Sequence, residues 1–369
     1  MIISRLTAEN FNYYNLHSEE VVTSNFIEDI NQGVFYDRLQ SITLDRLQID
    51  IEENIPKDSN IAFDFKHIEG VQPNINTYFS ALKKIGFQIV LLNITEELIL
   101  SLGFDSIANR NNVSSTLTFY DKGTLQPRTK NGFSTYYLFE DATNSFIPEN
   151  FKIDEIFNLK FKEALSKYRE NPTAPHTSSF VYLVTYFNLK KFISVEKSLC
   201  MFSIYKLALK ILKEWRENGP IPFYKEGENK ELAPPILVCQ SLNSAYLASI
   251  LSNLLKLDIL ILDKIGPINR IYSSLNKSII ENRNYIVVSD LVCLGTEVKI
   301  VKNIIEFLGG KYLGNVALIK TETLKKKDIQ KKEATVAVFS IDRTNNVELG
   351  YFITTDLIAK KESKKEGNE

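Results

Sequence analysis

The chain has 369 residues, of which 44% are hydrophobic and 24% are charged. This balance is typical of a globular protein with a sizeable core and excludes a wholly disordered chain. The 44 Lys and Arg residues nearly balance the 45 Asp and Glu residues, so the net charge of −1 supplies no overall basic surplus for binding nucleic acid.

The cysteines and histidines do not form the pattern of a metal site. Cys200, Cys239 and Cys293 are far apart, lie in apolar runs and form no CxxC pair, and the three histidines are also widely separated. We therefore expect no zinc site, and reduced, buried thiols in a cytoplasmic protein.

Neither a secretory signal nor a membrane span is expected. The first residues, MIISRLTAENFNYYNLHSEE, lack a basic region followed by an apolar one. No uninterrupted apolar stretch reaches about 18 residues, which is roughly the length that a transmembrane helix needs. The sequence thus predicts no membrane partner.

The first half of the chain contains one clear run of alternating strands and helices. Apolar patterning predicts a strand over 60–65, a helix over 77–86 ending at a glycine, a strand over 87–94 and a short helix over 95–104. This order predicts a parallel β-α-β unit covered by helices.

The domain boundary is expected near 145–155, where turn residues precede a new helical start. The resulting domains cover 1–150 and 151–358. The last segment, AKKESKKEGNE (359–369), is charged and lacks apolar periodicity, which predicts a disordered tail.

The second half repeats the alternation more regularly. Its apolar patterns predict three helices, over 201–218, 244–257 and 297–310, and four strands, over 235–240, 258–263, 285–290 and 312–321. We expect an α/β fold with a doubly wound parallel sheet, whose ligands bind beyond the carboxyl ends of the strands.

The most informative strand end is that of YIVVSD, which brings Asp290 to a turn that opens a helix. A carboxylate there can accept hydrogen bonds from ribose hydroxyls, and the N–H groups at the start of the helix can hold a phosphate. The alternative is that Asp290, Gly295 and Thr296 only form the capped start of a helix.

From about residue 150 to 345 the chain resembles the type I phosphoribosyltransferases, especially the orotate phosphoribosyltransferase branch. The resemblance lies in HTSSFVYLVTYFNLKKFISVEKSLCMFSIYKLALKI, PILVCQSLNSAYLASILSNLLKLDILILDK and YIVVSDLVCLGTEVKIVKNIIEFLGGKYLGNVALIKTE. The first is similar to the family's early hairpin and first large helix. The other two are similar to its pyrophosphate loop and its phosphate loop. An active member would transfer a phosphoribosyl group from phosphoribosyl pyrophosphate (PRPP) with Mg²⁺, which implies Asp290 and Lys264 as catalytic residues.

The same resemblance implies a set of ligand-binding positions, several of which depart from the family's pattern. They are Ser241, Asn243, Ser244, Ser289, Asp290, Cys293, Leu294, Gly295, Thr296 and Glu297.

At the strand end, Ser289 replaces the first of two adjacent acids. In the pyrophosphate loop, Asn243 and Ser244 fall near the family's glycines, and their side chains would obstruct a phosphate. Without a gap, Leu294 replaces a phosphate-binding hydroxyl and Glu297 puts a negative charge at the 5′-phosphate. A one-residue gap would instead align Gly295 and Thr296 with the family's Gly-Thr.

Residues 61–104, IAFDFKHIEGVQPNINTYFSALKKIGFQIVLLNITEELILSLGF, resemble the STAS-like domains of bacterial regulatory proteins. In the anti-sigma antagonists of that family a Ser or Thr after the first strand is phosphorylated. Here the place is taken by VQPN (71–74), which carries no hydroxyl, so the resemblance implies docking of a protein partner without a phosphorylation switch.

Three functions follow from these observations. The favoured hypothesis is a regulatory protein that binds a nucleotide or ribose-phosphate ligand in a degenerate PRPP loop. The second is an active phosphoribosyltransferase that acts on a nucleobase, and the third is a protein-interaction module with an empty site. A homodimer is left open by the sequence.

Overall fold

Strands and helices alternate along most of the chain in a computed structural model. It describes residues 2–9, 11–17, 19–25, 35–41, 44–57, 59–67, 75–94, 117–119, 134–138, 152–170, 182–183, 186–217, 233–255, 257–262, 279–321, 335–341, 346, 349 and 353–354. The chain divides into two compact units, Met1–Phe157 (unit 1) and Asn158–Glu369 (unit 2).

Unit 1 is built mainly of strands. In chain order its elements are β1 (Ile2–Thr7), β2 (Asn12–His17), β3 (Glu19–Asn25), β4 (Phe35–Ser41), α1 (Leu44–Asn54), β5 (Asn60–His67), α2 (Ile75–Ile85), β6 (Gln88–Ile94), β7 (Leu117–Phe119) and β8 (Ser134–Leu138). Six of the strands form a mixed sheet in the order β1-β2-β5-β6-β8-β7, while β3 and β4 pair with each other.

The β-α-β unit predicted for the first half is confirmed. Strands β5 and β6 are parallel neighbours, with Asn60 opposite Gln88, and α2 connects them. The chain leaves α2 through Gly86, whose φ of 111° is favourable for glycine alone among common residues. The predicted helix over 95–104 lies outside the described residues, and the STAS-like assignment stays a prediction.

Aromatic side chains fill the core of unit 1. Phe63 of β5 stacks on Phe79 of α2 with ring centroids 4.6 Å apart, and Tyr14 of β2 lies 5.5 Å from Phe63. The Tyr14 hydroxyl donates to Asp50 of α1 at 2.7 Å. Burial and the neighbouring carboxylate raise the pKa of Tyr14 far above its ordinary value, so it remains a neutral donor.

Unit 2 contains the longer helices. Its α3 (Ile153–Lys167) begins just before the division between the units, and is followed by β9 (Arg169–Glu170), β10 (Tyr182–Leu183), β11 (Tyr186–Phe187), α4 (Leu189–Val195), α5 (Lys197–Ile211), β12 (Ile236–Cys239), α6 (Leu242–Leu255), β13 (Ile259–Ile261), β14 (Asn284–Val292), α7 (Thr296–Phe307), β15 (Lys311–Thr321), β16 (Thr335–Ile341) and β17 (Ile353–Thr354).

Five strands of unit 2 form a parallel sheet in the order β13-β12-β14-β15-β16. The four strands predicted over 235–321 are therefore neighbours, as expected. From β12 the chain continues to β13 on one side of the sheet, whereas β14 and the later strands lie on the other side of β12. The order of the strands therefore reverses between β12 and β14. Open α/β sheets bind their ligands at such a switch point.

Helices lie on both faces of this sheet. Val301 and Ile305 of α7 pack with Val238, Tyr285 and Val287. The sheet residues that point the other way, Leu237, Cys239, Ile286 and Val288, are also buried. On that side α6 contacts β12 and β14 and packs beside α5. A parallel sheet buried on both faces explains the continuous apolar runs of the strands.

The predicted helix over 201–218 differs from the structure at both ends. Its regular part, α5, begins four residues earlier, at Lys197, and Leu212–Glu217 continue as a π-helix. Trp215, in this wider turn, lies against Gly314 of β15, where a Cβ atom would stand 2.8 Å from its ring. A change from α-helix to π-helix over one or two turns leaves the apolar periodicity of the sequence nearly unchanged.

The two short strands before α4 pair with partners that are distant in the sequence. Strand β10 pairs with β17, and β11 pairs with β9. The early hairpin that the resemblance implies before the first large helix stays a prediction.

Candidate functional site

The carboxyl ends of β12 and β14 bring together the polar residues that the sequence singled out. Gln240 directly follows β12, and Asp290 lies near the end of β14. Because the two strands are parallel neighbours, these residues lie at the same edge of the sheet, as predicted. Asp263, the last residue of the strand predicted over 258–263, lies outside the described residues.

Asp290 is held in place by two hydrogen bonds. The Asn243 side chain donates from Nδ2 to Oδ2 at 2.8 Å, and the Leu291 N–H donates to Oδ1 at 2.9 Å. The carboxylate is half-buried, and each oxygen keeps capacity for a second donor. Asn243 therefore orients the acid.

Ser241 and Ser244 cap a helix. The Ser244 N–H donates to Ser241 Oγ at 3.1 Å, and the two hydroxyls lie 2.8 Å apart. Ser241 directly precedes α6, so this is the N-cap arrangement in which a serine satisfies a free backbone donor. Ser244 is 4% exposed and points away from solvent. Helix capping accounts for both serines.

The turn between β14 and α7 has an open, irregular backbone. Gly295 is the N-cap of α7, with a φ of 73° and no side-chain cap, and nothing lies within 4 Å of where its Cβ would stand. Cys293 and Leu294 are half-buried, whereas Thr296 and Glu297 are exposed. The expected position of Glu297 in the first helical turn is confirmed. The choice between the ungapped and gapped alignments stays a prediction.

A shallow hollow lies beside this turn, between α7 and the middle of the sheet. It holds about 230 Å³ of empty space, open to solvent, and is lined by Val292, Leu294, Gly295, Val298, Lys299, Asn315 and Thr335. Asn315 already accepts from Tyr312 at 3.0 Å and donates to Thr335 at 2.8 Å. The hollow therefore offers an apolar surface with one cation, Lys299.

The three cysteines have two different environments. Cys200 and Cys239 are buried as expected, and burial raises their pKa to about 12 and about 11. The expectation of burial is wrong for Cys293, which is half-buried because it lies in the turn after β14. Lys264, the other catalytic candidate, lies outside the described residues.

Gln240 is the last residue of the strand that the sequence predicts over 235–240. Its side-chain oxygen Oε1 is buried and has no hydrogen-bond partner. The signal available in the sequence was a polar residue at the end of an apolar strand. The strand order then places this residue next to the switch point.

The described residues offer little for a resident metal ion. Within these parts of the chain, no three His, Cys, Asp or Glu side chains come together. At the strand end Asp290 supplies one carboxylate, and Mg²⁺ requires several more oxygen ligands. In the same described residues, no helix is long and apolar enough to cross a membrane.

No protein-family model matches the chain, and no curated protein matches it. The solved structures that it is similar to include an HGPRT-ase from Leishmania tarentolae in complex with GMP, at 18% identity and a TM-score of 0.27, over 38% of this chain and 76% of that one. An adenine phosphoribosyltransferase from Rhodothermus marinus matches at 14% identity and a TM-score of 0.35, over 50% of this chain and 100% of that one. The UMP synthase of Leishmania donovani matches at 13% identity and a TM-score of 0.37, over 52% of this chain and 38% of that one. At these identities and TM-scores the likeness assigns no activity to the chain.

Proposed function

We propose that unit 2 binds a nucleotide or another ribose phosphate at the carboxyl ends of β12 and β14, in a regulatory role and without transferring the phosphoribosyl group. The observation that carries this proposal is the carboxylate of Asp290. It stands half-buried at the switch point of a parallel sheet, oriented by Asn243 and by a backbone N–H.

The chemistry of Asp290 suits a ribose. An ionised carboxylate only accepts hydrogen bonds, and a ribose presents neighbouring hydroxyl donors. A hydrogen bond to a charged group contributes about 1.5–3 kcal/mol. Because Asn243 and Leu291 already fix the carboxylate, little side-chain freedom is lost when the ligand binds.

The turn before α7 argues against catalysis. Glu297 lies in the first turn of the helix, where its carboxylate complements the positive end of the helix dipole. A 5′-phosphate would compete with it for the same N–H groups and meet a like charge. Leu294 offers no hydroxyl to a phosphate. Weak binding of PRPP follows from these two residues.

The regulatory part of the proposal rests on unit 1. Its STAS-like sequence over 61–104 supports docking of a protein partner. Mg²⁺ enters only with a pyrophosphate ligand, whose oxygens would complete a coordination shell begun by Asp290.

Calorimetry on the full chain tests the proposal. We expect adenosine, guanosine or uridine 5′-monophosphate to bind, and Asp290→Ala to weaken binding about tenfold or more. Asp258→Ala is the matched control, because Asp258 is an exposed acid at the opposite end of the same sheet. Absence of binding by the three nucleotides, ribose 5-phosphate and PRPP would favour the empty interaction module.

Turnover separates binding from catalysis. The wild-type chain is incubated with PRPP, Mg²⁺ and a panel of nucleobases, and pyrophosphate release is measured. We expect none above the rate without protein. Release that depends on a base and disappears in Asp290→Ala would establish an active phosphoribosyltransferase instead.

A further inference from the structure

The side chain of Asn243 has no role in the helix that carries it. Asn243 is the second residue of α6, and Ser241 already caps the first turn of this helix. Asparagine is a poor helix former, so the helix itself gains nothing from an amide at this position. The contact that uses the side chain lies outside the helix, at Asp290 of β14.

The hydrogen bond to Asp290 fixes which end of the Asn243 amide faces the acid. An ionised carboxylate only accepts hydrogen bonds, so the NH2 group must face it, and Nδ2 lies 2.8 Å from Oδ2 of Asp290. The amide oxygen Oδ1 is bonded to the same carbon as Nδ2, so it stays beside the carboxylate while pointing away from it. Within the parts of the chain that the structure describes, this oxygen accepts no hydrogen bond.

Both acceptors can be reached by a ligand. Asn243 and Asp290 are half-buried, and Oδ1 of Asn243, unlike the side-chain oxygen of Gln240, is not shielded from solvent. The side chains of a helix lean towards its N-terminus, and the N-terminus of α6 lies at the carboxyl ends of the strands. The amide oxygen and the carboxylate are therefore adjacent acceptors at one strand end, joined by a hydrogen bond.

Two adjacent acceptors match a pair of donors on one ligand. A ribose carries two neighbouring hydroxyls, each of which can donate one hydrogen bond, and both a carboxylate and an amide oxygen accept them. A fully ionised phosphate has no hydrogen to donate and would meet Asp290 as a like charge. The pair thus suits the sugar of a nucleotide and not its phosphate.

We infer that Asn243 contacts the ligand and determines its specificity: Oδ1 accepts a hydrogen bond from one ribose hydroxyl while Asp290 accepts from the other. This inference rests on the proposed function and specifies its ligand class. The ligand carries a ribose with both hydroxyls free, so the site selects ribonucleotides over deoxyribonucleotides.

The first test pairs a protein change with a ligand change. Asn243→Leu keeps the approximate size of the side chain and removes its donor and its acceptor. Calorimetry on the full chain uses whichever of adenosine, guanosine and uridine 5′-monophosphate binds wild type most tightly, together with its 2′-deoxy and 3′-deoxy forms. We expect the variant to bind the ribonucleotide at least about fivefold more weakly, the effect of one neutral hydrogen bond. One deoxy form should lose less than the ribonucleotide does, because the same hydrogen bond is already missing from it.

The second test separates contact with the ligand from orientation of the acid. In the Asp290→Ala background there is no carboxylate for Asn243 to orient. We expect Asn243→Leu to weaken binding of the ribonucleotide about fivefold in this background too, since Oδ1 still accepts from its own hydroxyl. A residue that acted only through Asp290 would have no effect there.

Two controls separate recognition from folding. Thermal melting is recorded for every variant, and Asn243→Ala repeats the measurements with the best helix former and no added apolar bulk. Asn253→Leu removes an exposed amide from α6 as a matched change away from the strand end. We expect Asn253→Leu to bind all ligands as wild type does.

Other outcomes would overturn the inference. Wild-type affinity for the ribonucleotide in both Asn243 variants would exclude the contact, and equal losses for the ribonucleotide and both deoxy forms would exclude recognition of a hydroxyl. Absence of an effect in the Asp290→Ala background would reduce Asn243 to a positioning residue. In each case loss of binding in Asp290→Ala alone would leave the proposed function intact. Failure of wild type to bind any ribonucleotide would overturn both.

Discussion

The two units place their carboxylates in opposite ways. In unit 1 two acids have partners within the fold: Asp64, which is buried, accepts from Tyr13, and Asp50, which is half-buried, accepts from Tyr14 and forms an ion pair with Arg5 at 2.9 Å. In unit 2 Asp290 stands half-buried at a strand end with capacity for a further donor. The difference shows that an acid indicates a ligand site only where its partners within the fold leave its oxygens capacity for a further donor.

Two examples of buried polar atoms without hydrogen-bond partners, one in each unit, differ in their surroundings. Ser4 and Asn15 of unit 1 are opposite each other on β1 and β2, within the paired part of the sheet. Gln240 of unit 2 follows the last paired residue of its strand and adjoins the switch point. Only the second position is one to which open α/β sheets bring ligands.

The largest expected effect concerns the aromatic core of unit 1. Phe63→Ala removes a fully buried ring that stacks on Phe79, so we expect a loss of about 3–5 kcal/mol in the free energy of unfolding, measured with urea. Ile85→Ala, at a side chain 50% exposed on α2, should change it by less than about 0.5 kcal/mol. Equal effects would mean that Phe63 is not in a packed core.

The second prediction compares Asp50, which pairs with Arg5 and Tyr14, with Asp290, the acid at the strand end. Asp50→Ala leaves Arg5 and Tyr14 without a carboxylate, and we expect a loss of about 2–3 kcal/mol in stability. Asp290→Ala should cost less than about 1 kcal/mol, because the two donors that it releases are neutral and half-buried. Chemical unfolding of both variants measures the difference, and a greater loss in Asp290→Ala would make that acid structural.

The third prediction concerns the turn before α7. Glu297→Thr combined with Leu294→Thr removes a like charge and adds two hydroxyls beside the free N–H groups of the helix. We expect PRPP to bind about tenfold more tightly than to wild type, equivalent to about 1.4 kcal/mol, as measured by calorimetry. Tight binding to wild type that the substitutions do not improve would support the gapped alignment, with Thr296 at the phosphate.

The prediction with the smallest expected effect concerns the reactivity of the three cysteines. Burial raises the pKa of Cys239 to about 11 and of Cys200 to about 12, so both stay protonated and shielded at pH 8. An unfolded thiol has a pKa near 8.5. The two buried thiols therefore contribute to the free energy of unfolding below about pH 8.5, and this contribution is lost as the pH rises towards 11. We expect iodoacetamide at pH 8 to add one group, at Cys293, by intact mass, and three groups in urea.

The order of elements in unit 2 could be predicted because it follows from local patterns. Apolar runs marked the strands, helical spacing marked the helices, and the predicted bounds differ from the observed ones by a few residues. The π-helix after Ile211 could not be predicted, since one wider turn barely disturbs the apolar pattern. Burial of Cys293 was wrongly expected because an apolar run continues past the end of β14 into the turn.

The candidate site was predicted in part. Asp290 and the helix start at Thr296 came from one continuous segment, so their proximity was readable from the chain. The capping bond between Ser241 and Ser244 was also local, yet the resemblance assigned these residues to a ligand. A side chain that caps a helix and one that binds a phosphate have the same sequence pattern, because both meet free backbone N–H groups.

By itself the sequence determined which segments form strands and helices and which strand ends carry polar groups, because the periodicity of burial acts over a few neighbouring residues. The doubly wound pattern predicted that the four strands are neighbours, and only the tertiary structure decided their order, with β12 next to β14. That pairing brings Asn243 to Asp290, 47 residues away, and sets Gln240, whose side-chain oxygen is unsatisfied, at the end of the neighbouring strand. Such contacts depend on how the sheet buries its apolar faces as a whole, and no local pattern specifies them.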